Sequence, residues 1–213
     1  MLALRSYDRV APWYDLVARL WTGGAIGAAG SAAAERVRRG QTVLIAGVGG
    51  GRDAAALARD GARLTLVDLS ARMLERAAAR VRAVDGAAAP ELLCADALSL
   101  PDRRFDVVCA HYFLNVFAPH ELPEVLGRLA AHVAPGGLLS IADFAPVPAG
   151  RPLQALHYQV PMRCFAALGL CAPHPTYDYG SLLPAGWRLE STRGHRVFAV
   201  GPRWHASWLA RGP

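Results

Sequence analysis

A glycine-rich turn and a later aspartate carry the first chemical signal in this sequence. The turn, Gly47-Val48-Gly49-Gly50-Gly51, follows a short apolar run at residues 43–45. Glycine lets a chain turn sharply and lets a ligand approach the backbone closely. Asp68 ends a second apolar run about twenty residues later, where a carboxylate accepts hydrogen bonds from both hydroxyl groups of a ribose. This spacing predicts a binding site for an adenosine-type ligand.

Two adenosine-type ligands fit the glycine turn. Residues 47–51 give the pattern G-x-G-x-G, which is typical of sites for S-adenosyl-L-methionine (SAM), while residues 49–54 satisfy the looser dinucleotide pattern G-x-G-x-x-A. The next predicted strand, at residues 90–95, leads into Asp96. Its carboxylate can accept a hydrogen bond from the amino group of an adenine, and the adjacent backbone N–H can serve a ring nitrogen. This second acidic turn favours SAM.

The elements that position these residues alternate between apolar strands and helix-forming runs. Strands are predicted at residues 43–45, 64–67, 90–95, 105–110 and 138–142, with helices at 53–60, 70–84 and 121–133. Such alternation predicts a doubly wound α/β sheet, in which ligands bind at the carboxyl ends of the parallel strands. Two closing strands, at residues 187–193 and 204–210, extend it to a mostly parallel, seven-stranded, Rossmann-like sheet.

Two segments fall outside this alternation. Residues 1–40 precede the first strand, and their apolar spacing predicts helices; Tyr7 and Tyr14 belong to a repeated Tyr-Asp pair in this segment. Residues 145–184 are rich in proline, histidine and aromatic side chains, which suits a small helical cap over a substrate pocket. We therefore predict a single domain over residues 1–213, with an N-terminal helical lid and a cap insert.

Length and composition narrow the class of protein. The 213 residues are enough for one buried α/β domain but short for an additional catalytic domain. The net charge of +6 comes from scattered arginines with no lysine, a pattern that does not indicate a nucleic-acid-binding face. The four cysteines form no C-x-x-C pair, and no apolar stretch is long enough to span a bilayer. These features predict a soluble cytoplasmic protein, for which peripheral contact with a membrane stays open.

Taken together, the motifs resemble those of the class I SAM-dependent methyltransferases over nearly the whole chain. The matching stretches are VLIAGVGGG, VDLSARML, CADALSLP, FDVVCAHYFLN and APGGLLSIADF. The opening YDRVAPWYD is similar to the small methyltransferases of the ubiquinone and menaquinone type, whose amino-terminal tyrosine lines the cofactor site. The resemblance implies SAM as the cofactor, with contacts at Tyr14, Gly47, Gly49, Gly51, Asp68, Leu69, Asp96 and Ala97.

One position departs from the family pattern. The first strand of the family usually ends in an acid two residues before the first glycine, and Ile45 stands at that position here. The amino group of the cofactor would then depend on backbone carbonyls near Gly47 and on a side chain such as Tyr14. This departure leaves open a methyltransferase-like protein that binds without catalysing. The other alternative, an NAD-dependent oxidoreductase, would lack a Tyr-x-x-x-Lys pair because the chain has no lysine.

The resemblance also implies transfer of the methyl group of SAM. The apolar and aromatic residues of the cap favour a small, partly hydrophobic acceptor, such as a phenol, a quinone precursor or a secondary metabolite, and lipid head groups stay open as an alternative. The sulfonium already activates the methyl, so positioning and desolvation can supply most of the acceleration. Candidates for a base that deprotonates the acceptor are His111, at the end of the fourth strand, and His157, in the cap. We expect no metal site, since Asp143 with His111 does not make one. The apolar content is compatible with a homodimer.

Overall fold

The computed structural model describes residues 16–169, 171 and 173–213. In these ranges the strands are β1 Thr42–Ala46, β2 Arg63–Asp68, β3 Glu91–Cys94, β4 Phe105–His111, β5 Val133–Phe144, β6 Arg188–Arg196 and β7 Arg203–Arg211. Helix α1 covers the described residues 16–22. The remaining helices are α2 Ala25–Gly30, α3 Arg52–Arg59, α4 Ala71–Arg82, α5 Leu122–Ala131 and α6 Pro152–Ala167. Short 3₁₀ turns cover Ser31–Arg36, Ala97–Ser99, Leu114–Val116 and Tyr179–Leu182.

All of these strands join one sheet in the order β3-β2-β1-β4-β5-β7-β6. The pairs among β1 to β5 are parallel, whereas β7 runs antiparallel to both β5 and β6. The prediction of a mostly parallel, seven-stranded α/β sheet is confirmed. Strand order reverses between β1 and β4, and the carboxyl ends of strands at such a switch point form the usual ligand crevice of an open sheet.

The central strands are apolar because both of their faces are covered. Val43 and Ile45 of β1 are 0% and 1% exposed and share a core cluster with residues of α3 and α4. Leu44 and Ala46, both 0% exposed, share the opposite cluster with residues of α5. The sheet is therefore held between two helical layers, and its carboxyl edge is left to carry the functional residues.

Strand β5 begins earlier than the sequence predicts. The predicted span, residues 138–142, lies inside Val133–Phe144, and the helix predicted at 121–133 ends at Ala131. Val133 pairs with Phe105, and the ladder then shifts register before Leu138 pairs with Val107. The Pro-Gly-Gly sequence that indicates a turn therefore forms an irregularity within the strand.

Two helical segments lie outside the alternation of strands and helices. Helices α1 and α2 belong to the N-terminal segment, and α6 lies in the insert between β5 and β6. Tyr7 and Tyr14 lie outside the described residues, and the lid and cap functions of these segments stay predictions. Within the described ranges, every helix is too short or too polar to cross a membrane.

Candidate cofactor and acceptor site

Three glycines in the left-handed region shape the loop between β1 and α3. Gly47, Gly49 and Gly51 have φ values of 66°, 50° and 72°. A side-chain carbon at Gly47 would lie 2.5 Å from the Phe113 ring, and one at Gly51 would lie 2.5 Å from the Cα atom of Ala77. At Gly49 such a carbon would meet no atom of the described residues within 4 Å. The loop thus packs tightly at both ends and leaves open space in its middle, as the close approach of a ligand requires.

Asp68, the last residue of β2, lies beside this loop. Its Oδ2 atom accepts a hydrogen bond from the N–H of Gly49 at 3.2 Å, and its Oδ1 atom accepts one from the N–H of Ser70 at 2.9 Å. Ser70 also caps α4, because its hydroxyl accepts a hydrogen bond from the N–H of Met73. Backbone donors therefore fix the orientation of the carboxylate at the carboxyl edge of the sheet. Its contact with a ribose stays a prediction.

The turn after β3 supplies the neighbouring part of the site. Asp68 pairs with Cys94, so this turn follows directly beside Asp68. Asp96 is exposed, and its Oδ1 atom accepts a hydrogen bond from the N–H of Leu98 at 2.9 Å, which caps a short helical turn. Ala97 is buried, whereas Leu69 is 44% exposed. Of the cofactor residues predicted from the sequence, only Tyr14 lies outside the described residues, and the others meet at one edge of the sheet.

His111, the last residue of β4, is hydrogen bonded at both ring nitrogens. Its Nδ1 atom lies 2.7 Å from Oδ2 of Asp53, in the first turn of α3, and its Nε2 atom lies 2.9 Å from Oγ of Ser140 on β5. Burial opposes the charged imidazole, but Cys109 and the Asp53 carboxylate outweigh it and raise the pKa of His111 to about 10. A protonated histidine donates from both nitrogens. In this arrangement neither nitrogen is free to take a proton from an acceptor.

Asp53, His111 and Ser140 are hydrogen bonded in the order found in a hydrolytic triad. The serine, however, is more deeply buried than a catalytic serine can be. Ser140 is 0% exposed, so its hydroxyl is closed to a substrate. The network instead joins α3, β4 and β5. Ile45 pairs with Cys109, two residues before His111. A largely buried acid therefore lies just beyond the position where the family pattern has its first-strand acid, although this acid comes from α3.

His157 belongs to a second network, which extends from α6 to Tyr112, directly after β4. Its Nε2 atom lies 3.1 Å from Nε2 of His205 on β7, and Nδ1 of His205 lies 2.7 Å from the hydroxyl of Tyr112. The Trp21 ring stacks on His157 with a centroid distance of 5.5 Å. Burial lowers the pKa of His157, and burial with the nearby His157 and His195 lowers the pKa of His205 to about 3. Both imidazoles of the pair are neutral at pH 7.

A third network surrounds Asp143 at the end of β5. One carboxylate oxygen accepts hydrogen bonds from the Asn115 amide at 3.0 Å and the Phe144 N–H at 2.8 Å, and the other accepts one from the Tyr179 hydroxyl at 2.8 Å. Burial raises the pKa of Asp143 to about 6, although these hydrogen bonds oppose the shift. The space beside Asp143 is closed by these side chains and is too small to hold a water molecule; it is lined by Asn115, Asp143, Phe144, Tyr158, His174, Thr176, Tyr177 and Tyr179. Throughout the described ranges, no group of three or more acids, histidines and cysteines could hold a metal ion.

Sequence reasoning missed Asp53, Ser140 and His205 as members of these networks. The sequence contained one signal for His205. It lies among apolar residues of β7, so it is a polar side chain on one face of a buried strand. Asp53 offered only its place in the first turn of a helix. Its partner His111 lies 58 residues away, and local patterns do not carry such a contact.

Comparisons with known proteins decide the family. A family model described as "Methyltransferase domain" matches residues 43–137, which contain the glycine loop, Asp68 and Asp96. The demethylmenaquinone methyltransferase of Thermus thermophilus is 34% identical over 153 residues, which are 68% of this chain and 66% of that protein. The chain belongs to the class I SAM-dependent methyltransferases. These comparisons confirm both the predicted family and the predicted cofactor, SAM.

A further curated relative and one solved structure are also similar to this chain. The carboxy-S-adenosyl-L-methionine synthase of Pseudomonas putida is 36% identical over 105 residues, which are 46% of this chain and 42% of that protein. The 1,6-didemethyltoxoflavin-N1-methyltransferase of Burkholderia thailandensis, crystallised with S-adenosylhomocysteine, has the same fold with a TM-score of 0.60 at 20% identity, covering 99% of this chain and 88% of that chain. The chain spans less than half of the synthase and about two thirds of the Thermus enzyme.

Proposed function

We propose that this chain transfers the methyl group of SAM to a small, partly hydrophobic acceptor. The position of Asp68 is the observation that carries the proposal. Its carboxylate ends β2 beside a loop that is open at Gly49, and from there it can accept hydrogen bonds from both ribose hydroxyls. The turn at Asp96 and Ala97, on the next strand, suits the adenine, and the exposed Leu69 suits its apolar face.

The chain's contribution to such a reaction is positioning. Bound SAM supplies an activated methyl group on its sulfonium. The loop glycines hold the methionine end, while Phe113 packs against Gly47 and closes the loop from the core side. Holding the acceptor in line with the methyl and excluding water corresponds to roughly 7–11 kcal/mol of effective molarity. No nucleophilic side chain is needed.

Of the two candidate bases, His157 is favoured over His111. Both nitrogens of His111 are bonded to Asp53 and Ser140. His157 has its Nε2 atom on His205, and no described residue is bonded to its Nδ1 atom. Because burial lowers its pKa, the ring is neutral at pH 7 and can accept a proton. When Nε2 of His157 donates to His205, Nδ1 keeps the lone pair that a base requires.

The acceptor class follows from what surrounds the carboxyl ends of β4 and β5. The side chains packed around Asp143 include the aromatic rings of Phe144, Tyr158, Tyr177 and Tyr179, together with a few polar groups, and they would have to move apart to admit an acceptor. Small-molecule sites commonly combine an apolar, aromatic wall with few polar contacts. A relative named for demethylmenaquinone and a structural neighbour named for didemethyltoxoflavin support a small-molecule acceptor. We therefore favour a phenol, a quinone precursor or a similar secondary metabolite.

Calorimetric titration and an acceptor screen test this proposal. The purified full chain is titrated with S-adenosylhomocysteine and with NAD⁺, and a panel of phenols and quinols is then screened for S-adenosylhomocysteine formation from SAM. We expect micromolar binding of S-adenosylhomocysteine and turnover on part of the panel. Binding without any turnover would favour a methyltransferase-like binding protein. Binding of NAD⁺ alone would replace the proposal with an oxidoreductase.

The role of His157 is tested on the acceptor found in that screen. His157→Gln should lower kcat by roughly 10²-fold or more and remove the acidic limb of its pH profile, as loss of a general base does. His120→Gln replaces an exposed histidine and should leave both unchanged. A pH profile of His157→Gln that matches the wild type would remove His157 from this role.

A further inference from the structure

Exposed apolar side chains are concentrated on three elements at one end of the molecule. Twelve large apolar side chains are exposed in the described ranges, and four of them, Leu69, Leu92, Leu168 and Leu189, are scattered. The other eight lie on α1, on α6 and in the turn between β6 and β7. They are Leu16, Val17, Leu20, Trp21, Leu153, Leu156, Phe198 and Val200, and their exposed fractions run from 38% to 87%. We call these eight residues the apolar end.

Direct contacts join the three elements that carry the apolar end. The Trp21 indole N–H donates a hydrogen bond to the carbonyl of His157 on α6 at 3.1 Å. The N–H of Phe198 donates to the carbonyl of Thr22 at 3.5 Å, and Phe198 packs so closely on Gly23 that a side-chain carbon there would lie 2.5 Å from its ring. Helix α1 therefore lies between α6 and the β6–β7 turn. Many exposed apolar side chains on adjoining elements are a feature of interaction sites.

The charged side chains on the described residues of these three elements have a single sign. Residues 16–23, 151–167 and 195–204 contain no aspartate or glutamate. The same segments carry five exposed arginines: Arg19, Arg151, Arg163, Arg196 and Arg203. Elsewhere in the described chain, surface arginines such as Arg36, Arg128 and Arg193 form ion pairs with glutamates. The apolar end thus combines exposed apolar side chains with arginines that have no acidic residue on their own elements.

We propose that the apolar end docks on the surface of an anionic lipid bilayer. Leucine, tryptophan and phenylalanine tips insert at the boundary between headgroups and acyl chains, and arginines at their margin attract anionic headgroups. Arginine also places its aliphatic stem on apolar surface while its guanidinium stays in the polar layer. A second protein would be expected to require acids or carbonyl acceptors opposite these arginines together with a groove, whereas a bilayer accepts tips that project from three separate elements.

The position of α6 connects this surface to the candidate acceptor site. His157 and Tyr158 lie on the buried side of α6, and Leu153 and Leu156 lie on its exposed side. Docking would therefore place the wall of the acceptor site against the lipid, so that an apolar acceptor could enter from the membrane. This last consequence rests on the proposed function, whereas docking itself does not.

Co-sedimentation with vesicles tests the docking. The full chain is mixed with vesicles of phosphatidylglycerol and phosphatidylcholine, or of phosphatidylcholine alone. The double variant Leu153→Gln, Leu156→Gln alters the apolar end, and Leu92→Gln, Leu189→Gln is the matched control at exposed leucines elsewhere. The charge variant Arg151→Gln, Arg196→Gln is compared with Arg59→Gln, Arg82→Gln. Calorimetry with S-adenosylhomocysteine on each variant reports the cofactor site separately.

The expected result is binding to the anionic vesicles that weakens with salt. The altered leucine pair should lower the bound-to-free ratio roughly tenfold or more, and the altered arginine pair should lower it on anionic vesicles, with both controls unchanged. Failure to bind anionic vesicles, or equal binding by variants and controls, would overturn the proposal. A dimer in light scattering that the leucine variant abolishes, without vesicle binding, would instead assign this surface to a second copy. If the wild type does not bind S-adenosylhomocysteine, that result counts against the proposed function and not against docking.

Discussion

Nδ1 of His111 lies 2.7 Å from Oδ2 of Asp53, and this contact joins the end of β4 to the first turn of α3. The glycine loop runs between β1 and that same helix turn. An acid is therefore present beside the loop although β1 itself carries Ile45, which is 1% exposed in the core. The His111–Asp53 contact gives the site a rigid support whose strength depends on protonation.

Replacing His111 with Gln should remove a stabilisation that fades at high pH. The pKa of His111 is raised to about 10 in the folded chain, above its value of about 6.5 when unfolded. Its contribution is therefore complete below pH 6.5 and is lost as the pH rises through 10, at up to about 1.4 kcal/mol per pH unit. Urea unfolding at pH 6.5, 8 and 9.5 should show the gap between wild type and variant narrowing. A gap that stays constant, or one that His120→Gln reproduces, would contradict this account.

Replacing His205 with Gln should act on the acid side. The pKa of His205 is lowered to about 3 when folded, so its contribution is present above the unfolded value of about 6.5 and is lost as the pH falls below it. Between pH 6.5 and 5 the wild type should lose roughly 2 kcal/mol from this group, at about 1.4 kcal/mol per pH unit. His205→Gln should lack this slope in denaturant unfolding. An identical slope in both proteins would mean that folding leaves the pKa of His205 near its unfolded value.

Gly51 and Gly86 form a matched pair for testing how the loop packs. Both have a φ of 72°, so alanine meets the same backbone strain at either position. At Gly51 the new carbon would lie 2.5 Å from backbone and side-chain atoms of Ala77, whereas at Gly86 it would meet no described atom within 4 Å. Gly51→Ala should be more destabilising than Gly86→Ala by about 1–3 kcal/mol in denaturant unfolding. Equal losses of stability would show that α4 can shift to accommodate the new side chain at residue 51 without additional cost.

The sheet was predictable because its signals are local. The apolar run at residues 43–46 is buried on both faces, and Gly47 directly after it leaves few alternatives to a turn. Strand β5 was predicted too short because its early part is held by pairing with Phe105, and only the fold makes that contact visible. Its Pro-Gly-Gly sequence has the local preference of a turn, and pairing with β4 overrides that preference.

The candidate site likewise contains residues that local patterns predicted and residues that they did not. Gly49, Asp68 and Asp96 follow directly from strand ends, so motif spacing located them. The roles of the histidines depend on side chains from distant elements. From the sequence, His111 is a candidate base with a ring nitrogen available to accept a proton. Only the positions of Asp53 and Ser140 show that both of its ring nitrogens are hydrogen bonded. His205 and Tyr112 lie 93 residues apart, and no local pattern predicts their hydrogen bond.

Titration of S-adenosylhomocysteine into wild type, Asp68→Ala and Asp85→Ala tests the central claim most directly. Asp85 is exposed in the turn after α4 and serves as the matched control. Hydrogen bonds to a charged acceptor are worth about 1.5–3 kcal/mol each, so Asp68→Ala should weaken binding roughly 100-fold or more. Thermal unfolding verifies that each variant is folded. Micromolar binding by wild type and Asp85→Ala, lost in folded Asp68→Ala, is the predicted result. Equal binding by all three proteins, or none by the wild type, would contradict the assignment of this edge of the sheet to the cofactor.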